Sequence, residues 1–150
     1  MRVILQRVDS AHLSSDNMTS SIGFGLLAFV GVSQNDTVFD AHYLAKRIVN
    51  LRMFKDEFDK SNLSLLDVKG DIMIVSNFTL QADTKKGTRP DFFRAGKADM
   101  AKALYETLIK DVSAYIPNCA HGDFGNHMDI DCKLNGPFTL MIESEGRGRE

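Results

Sequence analysis

The sequence predicts an α+β fold, strand-rich, with mainly antiparallel sheets forming a barrel-like core and two helices packed against it. Three observations carry this. Two almost continuously apolar runs, 25–32 and 72–75, suit strands covered on both faces. Residues 127–134 alternate apolar and polar, the period of a strand with one wet face. Two segments, about 37–50 and 97–115, repeat apolar residues at helical spacing. With 150 residues the chain can bury about two-thirds of its unfolded surface, so one domain over 1–150 is expected.

Taken in order, residues 2–8 read as an opening strand. Residues 11–22, with Asp16-Asn17 suited to a turn, read as a hairpin. After the first apolar run, Asn35 or Asp36 is placed to cap the first helix. Its Ala41, Leu44, Ala45 and Ile48 share a face, leaving Asp40, Lys46 and Arg47 outside. Residues 55–71 are polar and read as a loop. The second helix carries Ala101, Leu104, Leu108, Val112 and Tyr115 as its stripe, with Pro117 closing it. In the last third, Met128, Ile130, Cys132 and Leu134 form the dry face of a strand, with Cys132 a small core residue. Asn135-Gly136-Pro137 then turns the chain into a final strand, 138–142. The tail, 146–150, is too polar to pack.

Composition narrows the function. A net charge of −2 excludes a globally basic nucleic-acid protein but leaves room for a local basic patch. The two cysteines, Cys119 and Cys132, fit no zinc-ligand spacing, and ten Phe supply core volume without a disulfide, which favours a reducing compartment. The apolar opening is broken at Gln6-Arg7, too early for a signal peptide. No run approaches the roughly 20 apolar residues of a membrane helix. A cytoplasmic protein with no membrane association is expected.

The usual catalytic motifs are missing: there is no GxGxxG, no P-loop and no GxSxG elbow. His121, Asp123, His127 and Asp129 form the densest polar cluster, but no HxH or HxxxH pair exists, so the reading is a solvated surface without a metal. Neither Ser76 nor Thr79 has a His–Asp pair near it in sequence.

Three segments stand out. In Ser76-Asn77-Phe78-Thr79-Leu80 a buried apolar strand abruptly presents polar side chains. They either line a pocket or cap the next turn. Gly136-Pro137 lies between two strong strands, where a residue without an N–H marks an edge, a bulge or a turn. Between them, residues 83–97 place Lys85, Lys86, Arg89, Arg94 and Lys97 around Phe92 and Phe93. That is the composition of a loop that grips RNA phosphates and stacks a base, and equally of a solvated charged loop.

Together these residues resemble the D-aminoacyl-tRNA deacylase family (D-tyrosyl-tRNA deacylases). The resemblance runs from Gln6-Arg7-Val8 through Gly25-Leu26-Leu27, Gly31-Val32 and Val75 to Leu80. It continues in Ala82-Asp83-Thr84, Gly87, Arg89-Pro90, Ala103-Leu104-Tyr105, Phe124-Gly125, Met128 and Asn135 to Thr139. The family's Ser-Gln-Phe-Thr-Leu motif, matched here at all but Asn77, and its Gly-Pro motif occur jointly, which is specific where either alone is weak.

The resemblance implies a homodimer in which Gly136 and Pro137 of one subunit, joined by a cis peptide, reach into the other subunit's site. Their carbonyls would face the substrate's Cα, where an L side chain collides and a D side chain does not. Glycyl-tRNA would be a side substrate, and Arg7 would hold the Gly–Pro. It further implies catalysis without cofactor or metal. The amides of Phe78 and Thr79 would receive the oxyanion, Ser76 and Asn77 would orient the amino group or terminal ribose, and the substrate's own 2′-hydroxyl would activate water. A nucleophilic Thr79 hydroxyl stays open as the alternative. Lys85, Lys86, Arg89 and Arg94 would bind tRNA; DNA is not expected as a partner.

This chain departs from the pattern at Asn77, where Gln is usual, at Leu134, at Phe138 and at His127. Two other readings remain: a deacylase relaxed toward some L-aminoacyl-tRNAs, and a tRNA-binding module without catalysis.

Overall fold

The computed structural model describes residues 1–145. The chain runs β1 (Arg2–Ser14), β2 (Thr19–Ile22), β3 (Gly25–Gly31), α1 (Val38–Asn50), β4 (Phe54–Lys55) and β5 (Ser61–Leu63). It continues α2 (Leu65–Val68), β6 (Asp71–Ser76), a 3-10 helix (Phe78–Gln81), α3 (Ala98–Ser113), β7 (Cys119–His121) and β8 (Asp129–Glu143). The main sheet has the order β2-β1-β3-β6-β7, with β8 on the other side of β1, and it curls into a barrel-like wall. Pairs made by β1 are antiparallel, while β3–β6 and β6–β7 are parallel. The expected α+β architecture is present, with α2 as an extra single turn.

The apolar runs are strands buried on both faces, as their composition dictates. Leu26, Ala28 and Val30 of β3 join Ile72 and Ile74 of β6 in a core with α1 and α3. Leu27, Met73 and Val75 point the other way, into a second core with Val8, Leu13 and Ile22 of the β1–β2 hairpin. The site lies at the end of these two central strands.

Several boundaries differ from the sequence reading. The opening strand and the arm of the hairpin are one strand, β1, so only the turn at 15–18 interrupts 2–22. Thr37, not Asn35 or Asp36, caps α1. Asp40 is buried rather than outside, because its carboxylate folds back to accept the Thr37 N–H (2.7 Å) and hydroxyl (3.1 Å). The segment 55–71 holds β5 and α2, whose Ser64 accepts the Asp67 amide at 3.1 Å, so side-chain capping supplies the order that apolar periodicity does not signal. In α3, Tyr105 is buried and Tyr115, past the helix end, is exposed.

The largest correction concerns the C-terminal strand. Residues 129–143 form one strand along β1, not two strands joined by a turn at Gly136-Pro137. Cys132 and Leu134 are exposed, because among the described residues β8 pairs only with β1 and nothing covers that stretch. The expected behaviour of residues 146–150 lies outside the described residues. No helix among the described residues is long and apolar enough to cross a membrane.

Candidate active site

At the end of β6 the chain leaves the sheet in a controlled way. The Asn77 N–H donates to the Val30 carbonyl at 2.8 Å, extending the parallel pairing by one residue. The 3-10 helix then begins, its first internal bond running from the Leu80 N–H to the Asn77 carbonyl at 3.3 Å. The N–H groups of Phe78 and Thr79 precede that bond and have no acceptor within the turn, the general condition of helix starts.

Three contacts fix the turn. Gln81, buried, donates through Nε2 to the Gly31 carbonyl at 2.8 Å. Arg2 donates through Nη1 to the Leu80 carbonyl at 2.7 Å. Gly31 lacks a side chain where one is forbidden: a Cβ there would lie 2.8 Å from Leu80 Cβ and 3.1 Å from the Asn77 carbonyl oxygen. The Thr79 hydroxyl donates to Asn77 Oδ1, so these two polar groups satisfy each other.

Beside this turn lies a cavity of about 480 Å³. Its walls are apolar and aromatic: Phe29, Val75, Tyr105, Phe124, Met128 and Ile130. Ser76, Asn77, Asn126 and His127 supply polar groups, and Phe78, Ala95 and Gly96 complete one side. Such a site, apolar with a few placed polar groups, suits a small ligand or the terminal part of a larger one. Tyr105 is anchored by its hydroxyl, which donates to the Ile74 carbonyl at 2.7 Å; burial raises its pKa, so it stays a neutral donor.

The sequence reading singled out Ser76, Asn77 and Phe78, and the structure brings these to the cavity; Thr79 follows them in the turn. Phe29, Tyr105 and Phe124 were not identified as site residues. Their rings come from three distant segments, and only the Tyr105–Phe124 contact, with centroids 5.7 Å apart, unites two of them. The polar cluster near His127 is dispersed: Asp123 accepts from Ser15 and Asn17 at 2.9 Å, and His127 pairs with Asp129 at 3.1 Å. Among the described residues no group of three metal-ligating side chains gathers.

Gly136 and Pro137 do not line this cavity. They sit in an interruption of the β1–β8 pairing: Gln6 pairs with Thr139 and Val8 with Leu134, so residues 135–138 face Arg7 alone. Their peptide bond is cis, and both residues are exposed. Arg7 is buried beneath them. It donates through Nη1 to the Met53 carbonyl at 2.7 Å, and its guanidinium carbon lies 4.8 Å from the centre of the Phe138 ring. Gly136 has φ +126°, and a Cβ there would meet the Phe138 amide at 2.8 Å and Arg7 Nη2 at 3.2 Å, so only glycine fits.

The basic loop is shaped by its own backbone. Asp83 and Asp91 exchange N–H···O bonds at 2.7 and 2.9 Å, closing residues 84–90 into a protruding arch. Lys85, Lys86, Arg89 and Arg94 are all exposed, and among the described residues none is in an ion pair. The arch returns through Ala95 and Gly96, which line the cavity, so Arg94 directly precedes a cavity-lining residue.

A sequence profile described as D-Tyr-tRNA(Tyr) deacylase matches residues 4–143. The chain belongs to that family. A D-aminoacyl-tRNA deacylase of Bacillus licheniformis is 47% identical over 146 residues, 97% of this chain and 99% of that protein. A solved structure of a c-Myc DNA Unwinding Element Binding Protein superposes with a TM-score of 0.90 at 33% identity, over 96% of this chain and 99% of the other. A structure described as a probable eukaryotic D-amino acid tRNA deacylase gives a TM-score of 0.85 at 20% identity, over 95% and 98% of the two chains, a likeness of fold. What the chain shares with these two structures is the overall fold.

Proposed function

We propose that this chain, acting as one domain, hydrolyses the ester of D-aminoacyl-tRNA to free D-amino acid and tRNA, with glycyl-tRNA as a side substrate. The observation that carries the reading is the start of the 3-10 helix at the cavity. Two amides without an acceptor in the turn, Phe78 N–H and Thr79 N–H, are held there by buried contacts from Gln81 and Gly31.

Water attacks the ester carbonyl carbon, and the developing oxyanion accepts from these two amides. One such donor contributes on the order of 3 kcal/mol. The bond to the ribose oxygen then breaks, and that oxygen takes a proton to leave as the tRNA hydroxyl. An aminoacyl ester is already activated, so positioning plus these donors suffices, with the terminal 2′-hydroxyl assisting the water. Ser76 and Asn77 orient the amino group or terminal ribose.

Chirality is enforced by exclusion. Gly136 and Pro137 of a second subunit place their carbonyls against the substrate's Cα, and an L side chain collides with that wall. Two features support a homodimer: Gly136 and Pro137 are exposed and absent from their own chain's cavity, and β8 leaves Leu134 and Met141 exposed. Arg7 holds the wall in place. Lys85, Lys86, Arg89 and Arg94 receive tRNA phosphates. No cofactor enters this scheme, and the substrate places the reaction in the cytoplasm.

The name of the 33%-identical structural neighbour and the exposed basic arch favour a second reading, a nucleic-acid-binding module without catalysis. Single-turnover mixing with D-tyrosyl-tRNA separates the two. The deacylase releases free tyrosine; retention of an intact ester in a stable complex would replace the first reading by the second.

A further inference from the structure

Among the described residues Phe93 is the most exposed large apolar side chain, at 78%. It does not sit on a loose tip. Its amide donates to Asp91 Oδ1 at 2.7 Å, and the Ala95 amide closes a turn onto the Phe92 carbonyl at 2.9 Å. Bonds from the Gln34 amide to the Arg94 carbonyl and from the Gly96 amide to the Val32 carbonyl, both 2.9 Å, tie the segment to the end of β3. The neighbouring Phe92 is used internally, edge-on to Phe78 with ring centres 5.0 Å apart. Phe93 is therefore a solvent-facing ring on a held backbone, two residues before the cavity-lining Ala95.

Its surroundings in the chain are cationic: Arg89 and Arg94 are exposed, as is Lys97. The acids of this segment, Asp83 and Asp91, are turned onto the loop's own amides of Lys85 and Phe93. Phe78 and Phe92 are exposed as well, but their rings are engaged with each other. An exposed ring on a held backbone, beside cations that form no ion pair among the described residues, suits an unpaired nucleotide, with the base on the ring and phosphate on the cations.

Building on the deacylase reading, we propose that Phe93 stacks on the base of the unpaired nucleotide immediately upstream of the esterified one. Phe93 is thus a positioning residue that recognises the substrate as a strand rather than as a single nucleoside.

The test compares Phe93→Ala, Phe93→Leu and Phe93→Trp on two esters, D-tyrosyl-tRNA and D-tyrosyl-adenosine. Phe93→Ala should raise KM for the tRNA roughly ten- to hundredfold with kcat little changed, the range expected for a lost base stack. It should leave the adenosine ester, which has no upstream base, at the wild-type rate. Phe93→Trp should behave as wild type and Phe93→Leu as Phe93→Ala, since bulk without an aromatic face does not stack. A 2-aminopurine at the upstream position should be quenched by the wild type and not by Phe93→Ala.

Equal effects on both esters, or full function in Phe93→Leu, would overturn the stacking role while leaving the deacylase reading intact. A wild type that cleaves neither ester overturns the deacylase reading and this proposal together.

Discussion

Arg7 Nε donates to both the carbonyl oxygen and Oδ1 of Asn135, each at 3.1 Å, across the point where β8 swings away from β1. One guanidinium thus anchors the first residue of the Gly–Pro segment, while its other end is fixed on the Met53 carbonyl. The fork geometry is the reason for arginine, because lysine has a single nitrogen and cannot serve both ends.

Arg7→Lys should therefore destabilise the fold by about 1–3 kcal/mol through buried acceptors left short of a donor. It should also lower the ratio of D-ester to L-ester hydrolysis. Urea unfolding and paired ester assays read the two effects. A variant with normal stability and normal D/L ratio would remove Arg7 from the account.

The proposed exchange of Gly–Pro segments between subunits is open to complementation. Phe78→Pro deletes one oxyanion amide, yet proline is tolerated at a first helical position and Asn77 before it is already extended. Gly136→Val sets a branched side chain where the wall meets the substrate, so that the D-ester is blocked as well. Each homodimer should be inactive. Mixed and reassociated, the two should recover about a quarter of wild-type turnover, since half the dimers carry one intact composite site. If wall and turn act within one chain, mixing restores nothing.

The fate of Thr79→Ala distinguishes backbone from side-chain chemistry. Its hydroxyl donates to Asn77, and its amide survives the substitution. Loss of that hydrogen bond should lower kcat by no more than about tenfold. Near-complete loss of turnover, with an acyl-enzyme trapped in the wild type, would make Thr79 the nucleophile instead.

The central strands were legible because Leu26, Leu27, Ala28, Val30 and Ile72 to Val75 each report their own burial through their apolarity. The polar residues at Ser76 and Asn77 were legible for the same reason, as an interruption of that pattern. The cavity was not, since Phe29, Tyr105 and Phe124 each read as ordinary core, and only the packing of β3, α3 and the loop after β7 brings them together. Gly136-Pro137 read as a turn because sequence shows the break in hydrogen bonding but not the partner strand. Only the pairing of β1 with both halves of β8 reveals a bulge facing Arg7. Cys132 and Leu134 misled for a related reason: alternation predicts a covered face, and among the described residues nothing covers it.

Asp40 predicts the acid limb of stability. Burial alone would raise its pKa, but hydrogen bonds from Ser144 and from the Thr37 amide and hydroxyl, with the nearby N-terminal ammonium, outweigh this and lower it. A lowered folded-state pKa gives stability that is present above the unfolded value of about 3.9 and is lost as pH falls through the folded one. Asp40→Asn should thus unfold more easily at neutral pH and show a flatter decline below about pH 4. Denaturation midpoints from pH 2.5 to 7 check this; parallel curves for variant and wild type would contradict it.

The central claim is chiral hydrolysis by positioning alone. It is tested most directly by following tyrosine release from D-tyrosyl-tRNA and L-tyrosyl-tRNA side by side, with and without chelator. Rapid loss of the D-ester only is expected, at the same rate in chelator. Loss of both esters at comparable rates, or of neither, would contradict it.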